Sequence, residues 1–219
     1  MNFSNVNWDK IWEKTLETII MTVESLIAVF VLGIILGLLL YLTSNSQNKF
    51  VALFYTIVTA IVNIFRAIPF IILIVLLIPF TKAVVGTMLG VQAAIPALII
   101  SAAPFYARLV EIGLREVDKG VIEAAKSMGA TNFTIITKVL IPESKPALIS
   151  GLTVTAIALV GSTAMAGVIG AGGLGNLAYL DGFQRSNNQV TFVATVIILI
   201  IVFAVQYLGD FIVKKVDKR

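Results

Sequence analysis

The chain has 219 residues, of which 58% are hydrophobic and only 13% charged, with a formal net charge of +4; an ordinary soluble domain is roughly a quarter charged. One water-soluble core of this length cannot hide so much apolar surface, so most of the chain has lipid as its solvent, and so modest a charge gives no reason to invoke nucleic acid. There is no Cys and no His, which excludes disulfides, zinc clusters, imidazole bases and haem ligation by either residue, and with them most catalytic templates.

A short polar lead, residues 1–18, is expected outside the membrane. The apolar run 19–42 follows, broken only by Glu24 and Ser25. It is too long for a signal-peptide core and has no basic segment before it, so it is expected to remain in the mature protein. About 20 apolar residues cross a bilayer as a helix, and four further candidates come next. The second lies within 50–80, interrupted by Arg66 and Pro69, and the third spans 87–107 with Pro96 and Pro104 inside it. The fourth covers 147–169, opened by Pro146 at the favourable first-turn position. The fifth, 190–208, is an unbroken apolar run.

Basic residues orient these spans. With the N-terminus outside, the inner side collects Lys49, Arg108, Arg115, Lys119, Lys126, Lys138, Lys145, Lys214, Lys215, Lys218 and Arg219. The outer side keeps only Lys10, Lys14, Lys82 and Arg185. The expected fold class is an all-α integral membrane protein with five transmembrane helices, N-outside and C-inside. It forms a single domain over 19–210 with a cytoplasmic tail at 211–219. Two short half-spans within 50–80 would reverse everything upstream. No period of 20–50 residues repeats, so function is sought in the inner loop 108–145, the outer loop 170–189, and polar residues within the spans.

In the inner loop, Val121, Ala124, Ala125 and Met128 recur with helical spacing and predict an amphipathic helix. Glu123 is placed in its first turn, where it complements the dipole. Gly129 ends the helix in a left-handed conformation. Thr131 or Asn132 then caps a second short helix over 133–140, which Pro142 terminates. On pattern alone, this reads as a surface helix that merely tidies the loop at the lipid interface.

The order of residues adds to that reading. Glu123-Ala124-Ala125, then three residues and Gly129, then nine residues and the aliphatic stretch ending in Pro142, resemble the EAA loop of ABC-importer permeases. Val139 and Ile141 are a conservative departure from that family's Ile-x-Leu-Pro. The runs IVNIFRAIPFIILIVLLIPF, APFYARLVE and GAGGLGNLAY extend the likeness over nearly the whole chain, to the methionine-uptake permeases. The resemblance implies a type I ABC importer permease fold in a bacterial inner (plasma) membrane, with residues 112–145 as the coupling loop. Glu123, Ala124, Ala125 and Gly129 would be docking contacts for a separate cytoplasmic ATPase, with Pro142 as the loop's structural stop. The implied partners are a second copy of the chain, two ATPases and an extracytoplasmic solute-binding lipoprotein. This chain would need no cofactor, ATP being bound by the ATPases, and would be no enzyme.

Within the membrane, Arg66 either satisfies carbonyls freed by Pro69 or snorkels, or it lines the passage with Asn63 and orients a solute carboxylate. Met165, in GSTAMAG, is either a yielding gate or packing, since Gly161, Ser162, Ala164, Ala166 and Gly167 also suit a close helix contact. Two motifs are decoys. GAGGLG satisfies G-x-G-x-x-G, but it follows a span rather than a strand, and Val190 stands where an acidic residue is required. Gly120 to Ser127 approaches a P-loop, but Ala125 replaces the glycine before Lys126. The resulting expectation is a permease translocating methionine or a close analogue by alternating access. The alternatives are an ABC permease for another small solute, a secondary transporter, which would show paired repeats, or an intramembrane enzyme or assembly factor.

Overall fold

The computed structural model describes residues 7–44 and 46–217. Helix α1 runs from Trp8 to Thr43, opened by Asn7, whose side-chain oxygen accepts the Lys10 N–H at 3.0 Å. After it come α2 (Lys49–Ala67), α3 (Phe70–Leu76), α4 (Ile78–Val85), α5 (Val91–Arg115) and α6 (Lys119–Ser127). The chain continues with α7 (Asn132–Ile135), a π-helical turn (Ile136–Leu140), α8 (Ile141–Val168), α9 (Gly173–Leu177), a second π-helical turn (Ala178–Gln184) and α10 (Asn188–Val216). Among the described residues there is no strand, and five helices are long and apolar enough to cross a membrane.

The centre of the bundle is α5, lined with small residues: Ala93, Ala94, Ala97, Ala102, Ala103 and Ala107 are buried. In lipid there is little hydrophobic drive between helices, so close backbone approach supplies the packing. Gly33 and Gly37 of α1 provide it, since a Cβ at the first would strike the Tyr106 ring and at the second Val110. Tyr106 is fully buried, and its hydroxyl donates to the Leu148 carbonyl at 3.2 Å, tying α5 to α8. Thr15, Thr18 and Thr22 return their hydroxyls to carbonyls one turn back at 2.7, 3.0 and 2.8 Å, so these polar side chains add no unsatisfied proton to the bundle.

Several boundaries differ from the sequence expectation. The polar lead is helical from Trp8 onward and continuous with the first span, because its apolar side chain Ile11 packs with Leu174 and Leu177; residues 1–6 of that lead lie outside the described residues. The third span continues to Arg115, so Arg108 and Arg115 stand on α5 rather than in the loop. The outer loop is largely helical, and α10 runs to Val216 through most of the expected tail. Lys218 and Arg219 lie outside the described residues.

The largest correction concerns Pro142. It does not stop a helix, and Pro146 does not open one: Asn132 to Val168 is one continuous helix of 37 residues. Proline lacks an N–H and its ring clashes with the carbonyl four residues back. The π-helical turn before Pro142, in which the Ile141 N–H reaches the Ile136 carbonyl, widens the ladder where that clash would fall.

Candidate functional site

The loop between α5 and α8 is a helix–turn–helix built from its caps. Asp118 caps α6 by accepting the Gly120 N–H at 2.6 Å. Gly129, at φ 81°, makes the left-handed turn, with the Ala130 N–H donating to the Ala125 carbonyl at 3.1 Å. Thr131 then caps α7 by accepting the Thr134 N–H at 3.3 Å. Because α6 starts at Lys119, Glu123 sits past its first turn, and Asp118 is the acid at its N-terminus.

The predicted apolar stripe divides between two faces. Ala125 is buried and Ile122 packs against the core with Ile135, Val139 and Leu140. Val121, Ala124, Met128 and Phe133 point away from the protein, Met128 being 82% exposed and Phe133 75%. Large apolar side chains exposed together in this way form a candidate interaction surface. Glu123 lies beside them, exposed.

Immediately before the loop is a charge cluster that sequence reasoning missed. Glu111 on α5 is fully buried, accepting from Arg108 at 2.6 Å and from Arg115 at 2.7 Å. The Tyr55 hydroxyl of α2 lies 3.5 Å from the same carboxylate. The signal was present: arginines three residues before and four after a glutamate face it on a helix.

The opposite end of the bundle is closed by the glycine-rich turn. The Glu17 carboxylate accepts the Gly173 N–H at 2.6 Å, and the Thr18 hydroxyl accepts the Leu174 N–H at 2.8 Å. Asp181 pairs with Lys10 and, at 2.8 Å, with Arg185. A Cβ on Gly175 would collide with the Ala164 backbone, and one on Gly167 with the Asn176 N–H. These glycines serve close packing, as the sequence suggested. Gly161 does not, for nothing lies within 4 Å of where its Cβ would stand.

Within the span region, Val154, Ala158, Gly161, Met165 and Val168 form one exposed stripe along α8, with Met165 51% exposed. Met165 is therefore not packing within its own chain. Next to this stripe, α2, α5 and α8 enclose a cleft of about 310 Å³ lined by Phe65, Arg66, Ser101, Phe105, Ala158 and Ser162, among others. Arg66 makes no hydrogen bond or ion pair among the described residues, so it does not satisfy the carbonyls freed by Pro69. An uncompensated cation inside a span costs roughly 2.5–3.5 kcal/mol on insertion scales. Asn63 is exposed and does not line the cleft. No group of three or more His, Cys, Asp or Glu among the described residues is placed to hold a metal ion.

Comparison with known proteins agrees with this architecture. Residues 13–219 match the family described as binding-protein-dependent transport system inner membrane component. The methionine import system permease protein MetP of Bacillus subtilis is 68% identical over 183 residues, covering 82% of this chain and 81% of that one. The probable D-methionine transport system permease protein MetI of Pasteurella multocida is 52% identical over 163 residues, 74% of this chain and 75% of that one. A solved structure of the MetNI methionine ABC transporter in inward facing conformations superposes with TM-score 0.94 at 46% identity, covering 98% of this chain and all of that one. An amino acid ABC transporter with histidines shares the fold, at TM-score 0.71 and 21% identity over 96% of this chain and 99% of that one.

Proposed function

The chain belongs to the family of binding-protein-dependent transport system inner membrane components, and from that premise we propose that it is the membrane-spanning permease of an ABC importer for methionine or a close analogue. The observation that carries the reading is the exposed apolar face of α6 and α7, which caps and core contacts hold against the bundle. A cytoplasmic ATPase seats on Val121, Ala124, Met128 and Phe133, with Glu123 beside them and Gly129 setting the angle between the two helices. ATP is bound and hydrolysed there, and this chain itself is no enzyme. Pro142 belongs to the transmitting helix rather than to a stop.

Two copies of the chain, two ATPases and an external solute-binding lipoprotein make up the transporter. One copy leaves Glu24, Asn63 and Arg66 exposed along its spans. Lipid is a costly neighbour for such groups, so a partner copy and a watered passage are the surroundings that suit them. Solute enters at the glycine-rich end and passes along the α8 stripe, which Met165 narrows at rest. ATP binding opens the outer side and hydrolysis resets the inner side.

The test is uptake of labelled methionine into proteoliposomes holding this chain with its co-expressed ATPase and binding protein. Uptake that follows ATP and ignores ion gradients is expected. Gradient-driven uptake without the ATPase would overturn the reading. Stimulation by another amino acid, with none by methionine, would overturn the solute alone.

A further inference from the structure

Three features of the cleft between α2, α5 and α8 point to a ligand. Arg66 presents a guanidinium with no protein partner among the described residues. The Ser101 hydroxyl, which lines the same cleft, likewise has none among the described residues, and lies close to the middle of the 25-residue α5. Ser162 has given its proton to the Ala158 carbonyl at 3.0 Å, which leaves its oxygen free to accept. A guanidinium recognises a carboxylate by charge-assisted hydrogen bonds, and serine oxygens accept from an ammonium. The remaining lining is apolar and includes two aromatic rings, Phe65 and Phe105. Sulfur next to an aromatic ring is a favourable contact. At about 310 Å³, the cleft is at the small end of ligand sites, which run from about 300 to 1,000 Å³.

Resting on the reading that this chain passes an amino acid, we infer that the cleft is a selectivity site within the membrane for an α-amino acid with an unbranched apolar side chain. Arg66 holds the carboxylate, Ser101 and Ser162 take the ammonium, and the side chain lies between Phe65 and Phe105. The solute is thus recognised a second time after the external binding protein has released it. Arg66 is then compensated by its cargo, and the cost of an unpaired cation in the span falls when the site is filled.

Two measurements on the assembled transporter test this. In the first, a diazirine analogue of methionine is photolysed with the permease–ATPase complex in the absence of binding protein, and the labelled peptides are mapped. Label on Phe105, Ala158 or their neighbours is expected, displaced by methionine but not by methioninol, which lacks the carboxylate. In the second, Arg66→Gln is expected to cut ATP-driven methionine uptake roughly tenfold or more, the loss of one charge-assisted contact. Arg66→Lys should recover part of it, and photolabelled Arg66→Gln should no longer distinguish methionine from methioninol. Co-purification with the ATPase reports assembly. If Arg66→Gln fails to assemble, the map on the unmutated complex and a Ser101→Ala, Ser162→Ala pair still decide. Label falling elsewhere, or equal displacement by methioninol in the unmutated protein, would overturn the site while leaving methionine import standing. An unmutated transporter that carries no amino acid would overturn both.

Discussion

Glu111 shows how one buried charge is held by two partners that reach solvent. Each arginine is partly exposed, with side chains 36% and 45% accessible, whereas the carboxylate is fully enclosed. Removing one arginine leaves the carboxylate paired, so Arg108→Ala or Arg115→Ala should each cost about 1 kcal/mol or less. Removing both strands a buried anion, for which about 3–5 kcal/mol is typical. A double-mutant cycle on thermal unfolding of the purified complex should therefore be strongly non-additive. Glycines allow a matching contrast. Gly175→Ala forces a methyl into the Ala164 backbone and should cost about 1–3 kcal/mol. Gly161→Ala meets open space and should stabilise the helix by about 0.5–1 kcal/mol. The same thermal melts read both, and a destabilised Gly161→Ala would mean that a second copy packs on that stripe.

At the scale of elements, the proposed docking face predicts opposite fates for two positions three residues apart, Met128 and Ala125. Met128→Glu changes only the outer surface and should abolish ATPase co-purification while the spans melt normally. Ala125→Glu buries an unpaired charge and should unfold the loop itself, visible as protease cleavage between α6 and α7. Equal behaviour of the two variants would remove the distinction between faces. The sequence carried much of this element: the turn at Gly129, the cap at Thr131 and the EAA order were all readable. The faces were not, because a stripe at helical spacing says which residues share a side, not whether protein or water meets it. Pro142 misled for a related reason. A proline after an aliphatic run ordinarily ends a helix, and here a widened turn of five residues, Ile136–Leu140, lets the helix pass it. No residue type announces such a turn. Five spans were legible because twenty apolar residues in a row have few other uses. Their ends were not, since α1 and α5 extend on contacts made far along the chain, such as Ile11 on Leu174.

At the scale of the whole molecule, the proposed pairing of two copies makes its own prediction. A face of α8 carrying Met165 and a cleft holding Arg66 both open outward. The absence of any cysteine gives a clean background, so Met165→Cys introduced alone should cross-link to its twin within the assembled transporter when a short bis-maleimide is added. ATP with a trapped transition-state analogue should lower the yield if the passage widens there, and an unchanged yield would argue against a gate at this position. The uninterrupted helix from Asn132 to Val168 then has a mechanical meaning. At 1.5 Å per residue, Ile135 and Met165 stand about 45 Å apart on one rod. Rotating that rod by about 5° at its Ile135 end swings its far tip by about 4 Å, comparable to the width of a methyl group. With the ATPase seated as proposed, a shift of the Ile135 end is carried along this helix to Met165.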